Sequence, residues 1–99
     1  QRVQLFDLQG NHKENWTDFI QPTDIYIDPR HPDTVYVGEL RNRMSIANSK
    51  GEVQSRWGRF PTDDPGQFYA VHGIWTDSEQ SLYCGEVLEG QRIQKFRRI

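Results

Sequence analysis

Arg2-Val3-Gln4-Leu5-Phe6-Asp7-Leu8-Gln9-Gly10 opens the chain, and Arg43-Met44-Ser45-Ile46 begins a second stretch that follows it in step. At this offset of 41 residues Gly10 falls on Gly51, Trp16 on Trp57 and Phe19 on Phe60. The second copy then carries an insertion, Pro61 to Gln67, after which the match resumes. Ile25-Tyr26-Ile27-Asp28 falls on Ile74-Trp75-Thr76-Asp77, and Val35-Tyr36-Val37-Gly38-Glu39-Leu40 on Leu82-Tyr83-Cys84-Gly85-Glu86-Val87. A third copy starts at Arg92-Ile93-Gln94-Lys95-Phe96. Glycine, tryptophan, phenylalanine, aspartate, tyrosine and glutamate recur in one order, so the chain is an internal repeat of roughly 40 to 50 residues.

Each copy reads as four short strands. Val3 and Leu5 alternate with polar neighbours, as do Met44 and Ile46, which is the period of a half-buried strand. Leu8-Gln9-Gly10-Asn11 and Ser49-Lys50-Gly51-Glu52 are hairpin turns in which glycine supplies a positive φ. The next strand closes on Trp16 or Trp57. An apolar stretch at Ile25 or Ile74 follows, then a turn begun by Asp28 or Asp77, whose carboxylates suit Asx turns. The last strand is Val35-Tyr36-Val37 or Leu82-Tyr83-Cys84. No segment combines helical periodicity with capping signals, so the expected fold class is all-β. Four-stranded units at this spacing suggest β-propeller blades, about two per chain. The reading places outer strands of a blade at 2–19, a complete blade at 22–60 and a second at 68–97, completed by another segment or chain.

Composition limits what such a chain does. Of its 99 residues 34% are hydrophobic, 26% charged and 12% aromatic, with a formal net charge of −2. That aromatic content with so little net charge excludes a disordered chain. Near-neutrality argues against nucleic acid as a partner, and the basic tail around Arg92 to Arg98 reads as a strand with a solvated face. No apolar run approaches the roughly 18 residues that span a bilayer, so no membrane role is expected. The first residues lack the pattern of a signal peptide and an initiator methionine, so a soluble chain, trimmed or excised from something longer, is expected. One cysteine, Cys84, rules out an internal disulfide framework and sits at an apolar repeat position, as an inert buried thiol would. No nucleophile elbow, phosphate loop, zinc-protease helix or paired-cysteine motif is present.

The wording of the repeats resembles the NHL family of propellers. Residues 2–10 are similar to its R-(I/V)-Q-(V/K)-F strand. Trp57-Gly58-Arg59-Phe60, Pro65-Gly66-Gln67-Phe68 and His72-Gly73-Ile74 resemble its W-G, P-G-Q-F and P-H-G-I run, with Val71 where the family has proline. Tyr83-Cys84-Gly85-Glu86-Val87 and Arg92-Ile93-Gln94-Lys95-Phe96 are similar to its Y-V-(A/G)-(D/E) and R-I-Q-K-F segments. Within the family the likeness is greatest to the C-terminal third of six-bladed proteins resembling peptidyl-α-hydroxyglycine α-amidating lyase.

The resemblance implies a ring whose innermost strands line a channel. It puts Thr23, Asp24, Glu39 and Glu86 at the channel mouth, together with His72. Family lyases hold zinc through one histidine from each of several blades, so His72 is a candidate ligand. The alternative is a histidine that packs at a blade entrance and hydrogen-bonds the next loop. Glu39 and Glu86 are candidates for general acid–base work or for bonding backbone N–H groups of a neighbouring blade. Trp16, Trp57, Tyr36 and Tyr83 recur in register and are expected in the core between blades. His12 and His31 are expected in solvated loops. Two blades do not close a ring, so self-association as a homotrimer is expected unless a longer chain completes it. In that homotrimer three copies of His72 around the axis form a set for zinc, with Glu86 or Asp24 orienting the rings. The expected function is a binding or scaffold module for a small molecule or peptide, the alternative a zinc-dependent lyase or hydrolase.

Overall fold

The computed structural model describes residues 1–98, and these contain nine strands and no helix. They are β1 (Val3–Phe6), β2 (His12–Trp16), β3 (Pro22–Tyr26), β4 (Thr34–Glu39), β5 (Arg43–Asn48), β6 (Val53–Trp57), β7 (Val71–Thr76), β8 (Leu82–Glu86) and β9 (Ile93–Phe96). They form three antiparallel sheets in chain order, β1-β2, then β3-β4-β5-β6, then β7-β8-β9. The fold is all-β, every neighbour in a sheet is consecutive in sequence, and each sheet is open at both edges.

The hairpins form where a short polar side chain can hold the turn. Asp7 accepts the N–H groups of Gln9 and Asn11 at 3.0 and 2.9 Å, and Asn48 accepts those of Lys50 and Glu52 in the same way. Gly10 and Gly51 take φ values of 88° and 82°, a region that costs a side chain strain. Asp28 and Asp77 begin the turns between β3 and β4 and between β7 and β8 by accepting the N–H groups of Arg30 and Glu79.

The first sheet packs on one face of the second, and the third packs on the other. Val3, Leu5 and Trp16 meet Val35, Val37, Ala47 and Val53 in one apolar cluster. Tyr36, Met44 and Ile46 meet Val71, Ile74, Leu82 and Cys84 in the other, joined by Phe68 from the loop before β7. This explains why β4 is buried along nearly its whole length: it is a middle strand of the sheet that has a neighbour on both sides. Trp16 lies flat on Gly51, where a Cβ would come within 2.6 Å of the indole. Trp57 is half-buried against Phe68 and Phe96, with ring centroids 5.9 and 5.5 Å away.

Within one chain Tyr83 is half-buried, on the face of the third sheet that no other sheet covers, beside the exposed Trp75 and under Lys95. One sequence expectation is corrected here. His12 is exposed, as expected, but belongs to β2 rather than to a loop, with its ring against Phe6. His31 lies exposed in the turn before β4.

Gly38 and its counterpart Gly85 test this layering. A Cβ on Gly38 would stand 2.8 Å from Val71 Cγ1, whereas the nearest atom to one on Gly85 is 3.8 Å away. Gly38→Ala is therefore expected to destabilise by about 1–3 kcal/mol in urea titrations, the usual range for overpacking. Gly85→Ala should leave the monomer's midpoint within about 0.5 kcal/mol of the parent, as at most surface positions.

Candidate functional site

At one end of the second sheet, Glu39 finishes β4 with its side chain fully buried. Its Oε1 accepts the N–H of Ile20 at 2.6 Å and Arg43 Nε at 2.9 Å, while Oε2 accepts the Ser45 hydroxyl at 2.5 Å. Arg56, on β6, donates from Nε to Ser45 Oγ at 2.7 Å and reaches the carboxylate and main-chain carbonyl of Asp18. Glu86 repeats the arrangement at the end of β8. Its Oε1 accepts the N–H of Tyr69 at 2.6 Å, and its Oε2 accepts Arg92 Nε at 2.6 Å and Gln94 Nε2 at 2.9 Å. Arg92 and Gln94 also reach the carbonyl of Gln67, at 2.8 and 2.7 Å, and so hold down the inserted loop.

Each glutamate therefore pins the segment that leads into its own sheet and ties the second strand to the third. The expected bond to a backbone N–H is present, but the N–H belongs to the sheet's own entry segment rather than to a neighbouring blade. A buried carboxylate with this many donors positions backbone. Both oxygens of each glutamate are engaged by groups of the fold itself.

The bulges at the start of β3 and β7 are the second feature. Pairing of β3 with β4 skips Thr23, and pairing of β7 with β8 skips His72. Thr23 turns its hydroxyl to the carbonyls of Val71, at 2.8 Å, and Gly38, at 3.2 Å. Asp24 accepts the N–H of Ile74 at 2.9 Å. Both residues thus fasten β3 to β7, and Asp24 does not join Glu39. His72, the counterpart of Thr23, is exposed on the third sheet. Its neighbour Gly73 replaces Asp24 and has no carboxylate to offer. Among the described residues no three histidine, cysteine, aspartate or glutamate side chains gather as a metal site would require.

At the opposite end of the same interface, Asp28 holds Arg30 through two bonds of 2.9 and 2.8 Å and accepts the Thr76 hydroxyl at 3.0 Å. Arg30 continues to the carbonyl of Asp77 at 2.8 Å. The guanidinium bonds hold the Asp28 carboxyl well below the usual range. Cys84 behaves as an inert core group, its thiol pushed up to about 12 by burial and by the Glu86 charge.

Sequence reasoning missed the arginines. Arg43 and Arg92 each stand a few residues beyond a Gly-Glu pair, and a serine or glutamine follows two places later. That spacing reads as a strand opening. Only the hairpin turn brings the two ends together. No protein-family model matches the chain, and no curated protein matches it in sequence.

Two substitutions check this geometry. Glu39→Ala should cost about 3 kcal/mol, the lower end for breaking a buried ion pair, because Arg43 and Arg56 keep partial access to water. Urea unfolding followed by tryptophan fluorescence measures it. The Asp28 pair acts through pH. Its folded pKa lies below the unfolded value of about 3.9, so its contribution is complete above that value and is lost as pH falls toward the folded pKa. Arg30→Ala should therefore raise the midpoint of acid unfolding, with the stability difference from the parent shrinking below about pH 4.

Proposed function

We propose that the chain is part of an NHL-type β-propeller and serves as a binding or scaffolding module, three copies closing a six-bladed homotrimeric ring. The observation that carries this reading is the way the sheets stack. The same face of the first sheet that meets the second recurs on the second where it meets the third. On the third sheet the equivalent face, with Trp75, Tyr83 and Ile93, has no cover, and Trp75 and Ile93 are 57% and 76% exposed. A stack with one repeated interface and two unused faces is completed by closing on itself. The motifs resembling the NHL family support the same architecture. In this ring the bulges of Thr23 and His72 stand at the entry to the innermost strands, where a small molecule or peptide has access.

The alternative of a zinc-dependent lyase draws less support. The residues of one chain do not fit a zinc site, since His72 has threonine as its counterpart and no second ligand beside it.

Light scattering tests the assembly. A mass near three times the 11.7 kDa of the chain is expected, and a monomer at every concentration overturns the ring. Gly85→Ala should lower the mass without lowering the monomer's melting temperature. Elemental analysis separates the two functions. Parent and His72→Ala should carry the same metal content, whereas loss of one ion per three chains in the variant would restore the lyase.

A further inference from the structure

Strands β1 and β9 carry nearly one sequence, Arg2-Val3-Gln4-Leu5-Phe6 against Arg92-Ile93-Gln94-Lys95-Phe96, identical at the first, third and fifth positions. Their surroundings differ. β9 lies beside β8, where Arg92 and Gln94 hold the Glu86 carboxylate. β1 has β2 on one side and a free edge on the other. Arg2 and Gln4 face a cleft of about 310 Å3 along that edge, bordered by Thr23 and Asp24. A second, apolar cleft of about 240 Å3 continues over Trp16, Ile25 and Ile27. In the complete middle sheet, the two strands that would fill this space are β3 and β4, and β4 ends in Gly38-Glu39. The one other hairpin of that kind among the described residues is β7-β8, ending in Gly85-Glu86.

We infer that β7-β8 of one copy seats beside β1-β2 of a second copy, β1 displacing β9, to make a complete four-stranded sheet across the subunit boundary. The inference rests on the ring proposed above and specifies its joint. Register follows from the pairs already present. Gly85 opposes Ile93, Cys84 opposes Gln94 and Leu82 opposes Phe96, so the incoming strand sets Val3, Gln4 and Phe6 in those places. Glu86 exchanges Arg92 and Gln94 for Arg2 and Gln4, which are chemically identical. Phe6, 53% exposed on its own sheet, takes the place of Phe96 against Trp57 and Phe68. Leu5 replaces Lys95 beside Tyr83, an apolar group for a charged one.

The exchange keeps the bonds that β9 makes through Arg92 and Gln94, gives up the exposed Lys95–Asp77 ion pair, and adds what β9 cannot supply. The joint sheet gains β2 as its fourth strand, and the second copy's middle sheet comes to lie over Trp75 and Tyr83. Its Ile25 and Ile27, 42% and 47% exposed, thereby gain cover. Ile25 then occupies the role that Ile74 fills inside one chain, where it packs against Gly38. The likeness of β1 to β9 makes the last strand a plug, retained by a lone chain and released on assembly.

The full-length chain allows a reversible test. Gln94→Cys places a thiol opposite Cys84, and oxidation with copper phenanthroline during refolding from urea, before the Cys84 thiol is buried, staples β9 to β8. The stapled chain should remain a monomer of 11.7 kDa by light scattering and assemble when dithiothreitol is added. Assembly of the stapled form overturns the inference. Gln4→Cys should instead form a disulfide between position 4 of one copy and position 84 of another, found by peptide mapping. Linkage within one chain, or none, counts against it. Arg2→Glu sets two carboxylates against each other at the joint and should lower the assembled fraction at least tenfold. A trimer unaffected by Arg2→Glu removes this seating but leaves the ring, whereas a parent that never assembles removes the ring itself.

Discussion

The buried carboxylate at the end of a sheet's second strand is the contact on which the other features depend. The side chains of Glu39 and Glu86 have no access to water, so their oxygens require donors from the protein. Those donors come from three places at once: the backbone entering the sheet, the arginine opening the third strand and the polar residue two places later. One side chain thereby sets the path of the entry segment, the register of the second hairpin and the seat of the neighbouring loop. A buried carboxyl group is fully hydrogen-bonded only when all these groups are in place, which makes each sheet end cooperative.

The middle sheet shows what full satisfaction looks like, and the outer two are measured against it. It has a neighbour on each face, its second strand is buried from Val35 to Glu39, and Gly38 permits Val71 and Ile74 to approach. The first sheet possesses the third and fourth strands of this pattern, and the last possesses the first three. Their uncovered groups complement each other. Arg2 and Gln4 match a glutamate, and Ile25 and Ile27 match an apolar face such as that of Trp75 and Tyr83. In the proposed ring, residues that look like isolated exposed hydrophobics in one chain form two halves of one interface.

Chemistry is distributed differently from packing. The carboxylates that recur between repeats are committed to structure, and the position that varies, Thr23 against His72, lies in the exposed bulge. Thr23 spends its hydroxyl on the next sheet, which leaves His72 as the bulge residue facing solvent. A residue freed from pairing in this way suits ligand recognition, since its conformation is not dictated by a ladder partner.

By itself the sequence determined the strands, their turns and their repetition, because these depend on short-range periodicity. Alternating Val3 and Leu5, the aspartates of the turns and the glycines at positive φ all act within a few residues. It also determined that Trp16, Trp57 and Tyr36 pack between sheets, since an apolar residue recurring in register has one common environment to fill. Tertiary structure decided the rest. Tyr83 has the same sequence context as Tyr36 yet is only half-buried, because the third sheet lies over Tyr36 and no sheet of the chain lies over Tyr83. In sequence Glu39 and Glu86 fit channel carboxylates as well as bonds to backbone N–H groups, and only the hairpins bring Arg43 and Arg92 to them. Burial and charge pairing depend on which surfaces meet, and a strand's own sequence records only its side of that meeting.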